Sequence, residues 1–396
     1  TYYVSPSGSD NNSGSSSSPF STIQRAVNEA GPGDTVRLLS GTYAQSVVSV
    51  RSGTASNRIT ISGPSDAVVT GDINSNCGTS CVFLINHDYL TLDGFTVNGL
   101  VGSFYQRSLI VARGPGGWQN NQAIDGVVGT TVRNMSIRNS WYLCTAFRWY
   151  AEDSLIENNT IENCGQNPSS SVGEGIYIGT DATTLNNSNP GKGFDYSKNN
   201  TIRGNTIDVN GGSECIEIKP RSMGNVIQNN ICEGTGAGGV GIRLKGGSNL
   251  VEGNTVRNLL GTNDRGLSFG GSTYQNLDTG SGTVQVGLNN TFRNNTVGPN
   301  VDNGVDVRIL PQTELCGTTF IGIQSSKQLI PSNLSGAPDQ TTINTALGSP
   351  GQVCSSSSST SPPSSDTFLP SVSIQSPASQ TLSGNIFIEA LASDNQ

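Results

Sequence analysis

The chain has 396 residues, of which 21 are Lys or Arg and 29 are Asp or Glu, so its formal net charge is −8. That balance argues against nucleic acid or an anionic membrane as the main partner. Charged residues make up only 13% of the chain and glycine contributes 50 residues, which excludes a coiled coil or a helix-rich protein. The single histidine, His87, excludes metal sites built from several histidines.

One amphipathic helix is predicted, over residues 21–30. Apolar residues recur there at helical spacing, at Ile23, Ala26, Val27 and Ala30, and a Pro-Gly pair follows. We expect this helix to cover the N-terminal end of a stack of short strands, because an open end would recruit other chains.

A phrase of about seven residues recurs between residues 91 and 297. Its equivalent positions lie at 95, 135, 159, 205, 230, 254 and 295, which are 40, 24, 46, 25, 24 and 41 residues apart. A unit of about 24 residues fits three of these intervals, and we call one such turn of the chain a rung. The interval of 46 residues needs a skipped rung, and the intervals of 40 and 41 residues need long inserted loops. Units this short cannot bury a core alone, so they must stack as a solenoid.

Short β-branched strands separated by Gly and Asn, without crossover helices, indicate a parallel β-helix. The recurring asparagines are predicted to occupy equivalent corners: Asn159, Asn205, Asn230, Asn254 and Asn295. Asparagine tolerates the left-handed backbone of a tight corner, and its amide can bond to the rungs above and below.

A second strand of each unit alternates apolar and polar residues. Period two places pairs such as Ile216 and Ile218 inside, so the polar positions face outward on one wall. These positions are Arg148, Tyr177, Glu217, Lys219, Arg243, Lys245, Asp306 and Arg308. Outward positions are polar in any β-helix, so a solvated surface is one interpretation. Basic residues concentrated on an acidic protein instead favour a wall that binds a polyanionic sugar.

Eight cysteines suggest four disulfides, although about 105 connectivities are possible. Sequential pairing predicts Cys77–Cys81, Cys144–Cys164, Cys215–Cys232 and Cys316–Cys354. Disulfides imply an oxidising compartment. A chain that begins at Thr1 without Met is what a mature secreted protein would show, so we expect secretion to the extracellular space.

The sequence divides into three parts. Residues 1–354 carry the repeats, and residues 355–366 are a Ser/Thr/Pro tract typical of a linker. Residues 367–396 alternate like strands and resemble the start of a bacterial immunoglobulin-like module, which is too short here to bury a core.

Two segments resemble β-helix polysaccharide-degrading enzymes. Residues 2–10, the predicted helix and residues 41–43 are similar to the N-terminal module of those enzymes. Residues 213–230 resemble the segment with the catalytic lysine in polysaccharide lyase families six and nine, which include alginate lyases, chondroitinase B and pectate lyases. Lys219 stands at the lysine position, and Arg243 approximately matches the family-six arginine. The resemblance implies an all-β, right-handed parallel β-helix with an N-terminal capping helix.

The resemblance is incomplete around the metal and the substrate. The aspartate cluster that binds calcium in family nine is not visible near residues 233–241, and Leu244 follows Arg243 where family six has His. Glu214 and Glu217 are the candidate ligands for a possible Ca²⁺ ion.

The mechanism implied by the resemblance is β-elimination at a uronic acid. Lys219 would take the C5 proton, while Arg243, Lys245 or a metal ion neutralises the carboxylate. A free Lys has a pKa of about 10.4, which Arg243 and Arg221 would lower and Glu217 would raise. Substrate-binding residues on this hypothesis are Arg148, Tyr177, Glu174, Lys245, Arg221, Asp306 and Arg308.

Two other functions stay open. Family 28 of the glycoside hydrolases has an Asp-Asp-Cys-Ile-x-Ile-Lys phrase similar to residues 213–219, but Ser213 replaces its first Asp and its Gly-His-Gly motif is missing. A different hydrolase would draw its carboxylate pair from Glu174, Glu214, Glu217 and Asp306. A non-catalytic carbohydrate-binding β-helix is the third possibility. In each case we expect a monomer whose partner is a polysaccharide, acidic for the lyase, with no nucleic acid or membrane partner.

Overall fold

The computed structural model describes residues 1–72, 81–114, 126–169, 172–181, 194–270, 272–275, 283–287, 289–308, 319–321 and 323–325. The predicted linker, the immunoglobulin-like module and the Cys316–Cys354 pair lie outside these residues. No helix in the described part is long and apolar enough to cross a membrane.

The described residues wind through three parallel sheets, named A, B and C, in that order on successive turns, and the strands counted in each sheet are those of the described residues. Sheet A has eleven strands: Tyr2–Val4, Thr35–Leu38, Ile59–Ser62, Leu90–Asp93, Thr131–Arg133, Leu155–Glu157, Thr201–Arg203, Val226–Gln228, Leu250–Glu252, Thr291–Arg293 and Thr319–Ile321. Sheet B has ten: Gly41–Tyr43, Ala67–Val69, Thr96–Asn98, Ser136–Arg138, Thr160–Glu162, Thr206–Asp208, Ile231–Glu233, Thr255–Val256, Thr296–Val297 and Gln324–Ser325.

Sheet C carries the wall of polar residues predicted above. Its parallel strands are Val47–Val48, Cys81–Ile85, Phe104–Arg113, Ser140–Arg148, Ile176–Ile178, Glu214–Ile218, Val240–Leu244, Arg265–Gly270 and Asn303–Arg308. Three short pairings lie beside the three sheets: Leu100–Val101 with Phe104–Arg113, Val127–Val128 with Ala151–Glu152, and Ser272–Gln275 with Thr283–Val286.

The core is a set of in-register apolar columns. In sheet A, Ile156, Ile202, Ile227 and Val251 follow one another on successive rungs, and all are fully buried. The predicted inward residues of sheet C, from Ile176 to Phe269, are buried in the same way. Each β-branched side chain therefore packs on its equivalents above and below, which is how units without a core of their own become stable.

The long intervals are inserted loops. Leu155–Glu157 pairs directly with Thr201–Arg203, so the skipped rung predicted for the interval of 46 residues is wrong. Direct pairing also spans the intervals of 40 and 41 residues, which confirms the loops predicted there. Each repeat, whatever its length, adds one strand to sheet A, and the additional residues form loops outside the sheets.

The predicted asparagines form a continuous ladder at the corner between sheets A and B. Each side-chain Nδ2 donates to the Oδ1 of the next rung at 2.9 Å, from Asn159 through Asn205, Asn230 and Asn254 to Asn295. Nδ2 also donates to a backbone carbonyl, and Oδ1 accepts from a backbone N–H as well. A second ladder, which the sequence reading missed, follows the corner between sheets C and A through Asn200, Asn225, Asn249 and Asn290.

The left-handed backbone of the corner belongs to a different residue than predicted. Positive φ values occur one position before the ladder, at Asn158 (54°), Gly204 (64°), Asn229 (53°), Gly253 (66°) and Asn294 (53°). The expectation that the ladder asparagines carry this conformation is wrong. One residue turns the chain, where Gly or Asn is tolerated, and the next residue bonds between rungs.

The capping helix begins at Ile23 and ends at Glu29. The hydroxyl of Thr22 accepts from the N–H of Arg25, and Ile23, Ala26 and Val27 are buried. The helix packs against Tyr2–Val4 and Thr35–Leu38, the first two strands of sheet A. It therefore covers the N-terminal end, as the sequence predicted.

The cysteine predictions have mixed outcomes. Cys144 and Cys164 form a disulfide. Cys81 is also disulfide-bonded, and its predicted partner Cys77 lies outside the described residues. Cys215 and Cys232 are free, so that predicted pairing is wrong. Both are fully buried and the Cys215 Sγ donates to the carbonyl of Glu233, so these thiols pack as small core side chains.

Candidate active site

A cleft of about 580 Å³ opens along sheet C. It is positioned by register, since Tyr177, Glu217 and Arg243 occupy equivalent places on three consecutive rungs. Six basic and four acidic side chains line it: Arg107, Arg113, Arg148, Lys219, Arg243, Lys245, Glu174, Asp181, Glu214 and Glu217. A chain with only 21 basic residues therefore places six of them in one cleft.

The floor of the cleft is an ionic cluster with Glu217 at its centre. The oxygens of Glu217 lie 2.5 Å from Lys219 Nζ, 2.8 Å from Lys245 Nζ and 4.0 Å from Arg243 Nε. Only 1% of Glu217 is exposed, and burial alone would raise its pKa. The three cations outweigh that effect and lower the pKa to about 2, so Glu217 stays a carboxylate.

The two lysines of the floor have opposite environments. Burial would lower the pKa of Lys219, but Glu217 outweighs it and raises that pKa above its usual value. Of the opposing influences that the sequence left undecided, Arg243 and Arg221 against Glu217, the effect of Glu217 therefore prevails. Burial lowers the pKa of Lys245, and Lys219 and Arg243 lower it further against the opposing effect of Glu217. Lys245 thus loses its proton more readily than Lys219.

Glu174 shares the floor with two other carboxylates. Oxygens of Glu174, Glu214 and Glu217 lie within 4.8 Å of one another, and all three residues are buried. Burial and then the charges of Glu217 and Glu214 raise the pKa of Glu174 well above its usual value. The protonated form of Glu174 is therefore favoured beside the Glu217 carboxylate, and Glu174 Oε2 accepts from the N–H of Gly173.

The predicted calcium ligands do not fit a calcium ion. A Ca²⁺ ion is bound by about six to eight oxygen ligands. Glu214 already accepts from Arg243 Nη1 at 2.8 Å, and Glu217 contacts Lys219 and Lys245. Ammonium and guanidinium groups thus stand where a cation would have to bind.

Aromatic rings and cations form the side wall of the cleft. Tyr177 lies between Lys219, whose Nζ is 4.6 Å from the ring centroid, and Arg148, whose guanidinium is 5.4 Å from it. Burial raises the pKa of Tyr177 to about 12, although the two cations oppose this. Tyr177 therefore remains a neutral phenol that can donate a proton.

The structure brings together most of the predicted site residues. Arg148, Glu174, Tyr177, Glu214, Glu217, Lys219, Arg243 and Lys245 all line the cleft. Arg221 does not line it and lies against the rings of Phe194 and Tyr196. Asp306 and Arg308 continue the register beside Ser268 and Gly270, but their side chains lie outside the described part.

Five charged or aromatic lining residues were not predicted from sequence: Arg107, Arg113, Tyr142, Trp149 and Asp181. Arg107 and Arg113 belong to the strand Phe104–Arg113, which precedes the alternating strands recognised in the sequence, although Arg113 is in register with Arg148. Asp181 lies in an inserted segment, and its carboxylate is 3.8 Å from Lys219 Nζ and 3.7 Å from Lys245 Nζ. The register between neighbouring strands would identify the arginines as cleft residues. Asp181 belongs to no repeated pattern, so nothing in the sequence points to it.

A second depression of about 540 Å³ continues the cleft and shares Val172, Glu214 and Arg243 with it. Its other lining residues are glycines and small or uncharged polar residues: Gly165, Gln166, Asn167, Pro168, Asn210, Gly211, Gly212, Ser213, Gly236, Ala237, Gly238 and Gly239. The groove therefore passes from a charged half to a nearly uncharged half.

Two family models match overlapping parts of the chain. Residues 2–114 match the model described as the Pel9A-like, right handed beta helix region. Residues 108–276 match the model of the periplasmic copper-binding protein NosD. A curated relative, the uncharacterized protein YwoF of Bacillus subtilis (strain 168), is 32% identical over 102 residues, which are 25% of this chain and 22% of YwoF. The match thus spans about a fifth of that relative.

Solved structures of similar shape decide the fold. An alginate lyase from Paenibacillus sp. str. FPU-7 is 21% identical, with a TM-score of 0.57 over 78% of this chain and 93% of its own. A rhamnogalacturonan lyase is 14% identical, with a TM-score of 0.53 over 84% of this chain and 89% of its own. The fold is a right-handed parallel β-helix. The resemblance predicted from residues 2–10 and 213–230 is confirmed at this level.

Proposed function

We propose that this protein is a carbohydrate-active enzyme, a lyase that cleaves a uronate-containing polysaccharide by β-elimination. One observation carries the proposal: an acidic protein of net charge −8 lines a sugar-sized cleft with six basic side chains. A polyanion is attracted to such a cleft and repelled elsewhere. The lyases among the solved structures of this fold and the Cys144–Cys164 disulfide support an enzyme that works outside the reducing cytoplasm.

The proposed chemistry divides the two lysines of the floor. Lys245 takes the proton at C5, since it is the lysine of lowered pKa and the more exposed, with 16% of its side chain accessible against 7% for Lys219. Lys219 remains an ammonium and stabilises the negative charge that develops on the substrate carboxylate. Tyr177 donates a proton to the departing O4 oxygen. Lys219 is thus essential as a cation rather than as the base.

A hydrolase is the second candidate because the pKa values of Glu174 and Glu217 are driven apart. Such a split is typical of a general acid beside an ionised carboxylate. However, carboxylate oxygens of the two groups lie within 4.8 Å of each other, whereas an inverting hydrolase needs about 6.5–9.5 Å between its carboxyl groups to admit the attacking water. This spacing disfavours an inverting hydrolase.

The copper-binding name of the family model that matches residues 108–276 suggests another role. Copper prefers nitrogen and sulfur donors. Within the described residues, the potential ligands that cluster in a group of three are Glu174, Glu214 and Glu217, which offer oxygen alone. This donor set supports carbohydrate chemistry over copper binding.

The test is absorbance at about 235 nm during incubation with pectate, alginate, glucuronans and glycosaminoglycans, since β-elimination leaves a conjugated unsaturated uronate. We expect a rise on at least one polymer, steeper at alkaline pH as Lys245 deprotonates. A chelator should leave the rate unchanged, because the carboxylates are paired with cations. New reducing ends without absorbance would instead establish the hydrolase, and neither signal on any polymer would contradict both enzymes.

A further inference from the structure

Three side chains, Arg113, Trp149 and Arg148, contact one another at one end of the cleft and are named the stack. The guanidinium of Arg113 lies 4.7 Å from the ring of Trp149, and that of Arg148 lies 5.9 Å from the same ring. Arg113 and Arg148 are in register on adjacent strands. Within the described part of the chain, neither forms a salt bridge, whereas Lys219, Arg243 and Lys245 all do.

The backbone beneath this stack is held in an uncommon conformation. Trp149 and Tyr150 are consecutive non-glycine residues with positive φ, 54° and 61°. Residues in this region cost free energy and persist only where their surroundings impose them. Here a single fully buried carboxylate does so, because Asp195 accepts from the N–H of Trp149 at 2.6 Å and from that of Tyr150 at 3.0 Å.

The same carboxylate orients Arg148. Asp195 Oδ2 accepts from the hydroxyl of Thr180 at 2.6 Å, and the Thr180 oxygen accepts from Arg148 Nε at 3.3 Å. The remaining partners of Asp195 are the N–H and hydroxyl of Ser197. One buried group therefore fixes both the ring of the stack and one of its two cations.

The stack also has a defined place relative to the floor lysines. Successive rungs carry Arg113, Arg148, Gly179, Lys219 and Lys245 at equivalent positions. Gly179 has φ of 85°, and a Cβ there would lie 2.1 Å from Ser222 Oγ, so this rung contributes no side chain. Arg148 and Lys219 are thus two rungs apart, about 10 Å along the axis. The column therefore has cations on both sides of a rung that bears no side chain at this position.

We propose that the Arg113–Trp149–Arg148 stack is a second carboxylate-binding subsite, preorganised by Asp195, for a uronate about two sugar units from the one that reacts. This rests on the proposed function and deepens it, because the substrate must then carry at least two carboxylates, spaced along the helix axis. The two arginines bind the carboxylate, and the Trp149 ring holds both guanidinium groups in place. Asp195 and Thr180 are positioning residues that touch no sugar.

The first experiment measures binding without turnover. Tetragalacturonate and tetramannuronate, each as the free acid and as the methyl ester, are titrated into the Lys245→Arg protein, with and without Arg113→Gln. The ester keeps the shape and removes the charge. We expect Arg113→Gln to weaken binding of the better acid about tenfold or more and to leave the ester within about twofold. Equal losses for acid and ester, an unchanged affinity for the acid, or no binding of either acid would overturn the subsite.

The second experiment tests the positioning residues. Thr180→Val breaks the link from Asp195 to Arg148, whereas Ser197→Ala removes a contact of Asp195 and a hydrogen bond from the N–H of Ala151, neither of which involves Arg148. We expect Thr180→Val to raise KM several-fold with kcat within about twofold, and Ser197→Ala to change neither. Equal effects of the two substitutions on KM would reduce Asp195 to a structural role.

The two proposals fail separately. Binding that depends on Arg113, together with no absorbance at 235 nm on any polymer, would sink the lyase and keep the subsite. A rise in absorbance at 235 nm together with a KM that Arg113→Gln leaves unchanged would support the lyase and contradict the subsite.

Discussion

The asparagine ladder and the floor of the cleft are both stacks of buried polar residues placed by rung register. In the ladder, Asn205 and Asn230 are identical neutral amides, and each bonds to the next at 2.9 Å. In the floor, Tyr177, Glu217 and Arg243 are a phenol, an anion and a cation at equivalent positions. An amide is both donor and acceptor, so it can repeat indefinitely, whereas stacked like charges repel.

This difference separates stability from chemistry. A satisfied amide ladder adds hydrogen bonds without burying charge. A buried ion cluster is weak evidence for stability, since its desolvation cost offsets its attraction. In the floor of the cleft, the equivalent positions therefore carry different, reactive side chains instead of one repeated residue. Substitutions in the ladder should change stability, and substitutions in the floor should change activity.

The largest expected effect comes from the floor lysines, compared through the matched pair Lys245→Arg and Lys219→Arg. Arginine keeps the positive charge but cannot serve as a base. Lys245→Arg should reduce kcat about 10²- to 10⁴-fold, the range for general base catalysis, and Lys219→Arg only about tenfold. Steady-state rates at 235 nm measure both. The reverse order would return the base to Lys219.

A large effect on stability is expected in the ladder from Asn230→Ala. Asn230 is fully buried, donates to Ile202 O and Asn254 Oδ1, and accepts from Asn205. Each orphaned buried group costs about 1–3 kcal/mol, so the loss should be about 3–5 kcal/mol in free energy of unfolding by urea titration.

The control for the ladder is Gln228→Ala on the same rung. Its side chain is partly exposed and reaches Glu252 at 3.5 Å, so it should cost less than about 1 kcal/mol. Similar losses for the two substitutions would mean that the ladder contributes no more than an ordinary surface contact.

A smaller effect, of opposite sign, is expected from Glu174→Gln. The folded state raises the pKa of Glu174, so the wild type loses stability as pH rises above about 4.5, the usual value for Glu, toward the raised value. Glutamine mimics the protonated acid and should remove that loss, by about 1.4 kcal/mol for each unit of raised pKa. Melting temperatures between pH 4 and pH 9 measure the gain. A variant that is less stable than the wild type, with the same pH slope, would show that Glu174 is ionised.

The fold was predictable from sequence because β-branched residues and asparagine recur at intervals set by one turn. The second ladder was equally visible, since Asn200, Asn225, Asn249 and Asn290 each directly precede a strand of sheet A. Interval length alone did not show that 46 residues still advance a single rung, because loops add residues without adding strands.

Most residues of the site could be predicted from the sequence, but their protonation states could not. Alternation placed Tyr177, Lys219 and Lys245 on one wall, but the protonation of Lys219 depends on Glu217 at 2.5 Å, a distance that no sequence pattern gives. Arg113 and Asp181 lie outside the repeats, so only the paired rungs bring them to the cleft.

The direct pairing of Leu155–Glu157 with Thr201–Arg203 has a consequence for how such a molecule diversifies. Each inserted loop joins strands whose places are fixed by pairing, so that successive strands of sheet A stay one rung, about 5 Å, apart whatever the length of the loop. Closing a longer loop costs little more, since the entropy grows only with the logarithm of its length. Segments such as the one that supplies Asp181 can therefore be lengthened, shortened or exchanged as cassettes, and substrate preference can change while every rung of the scaffold stays in register.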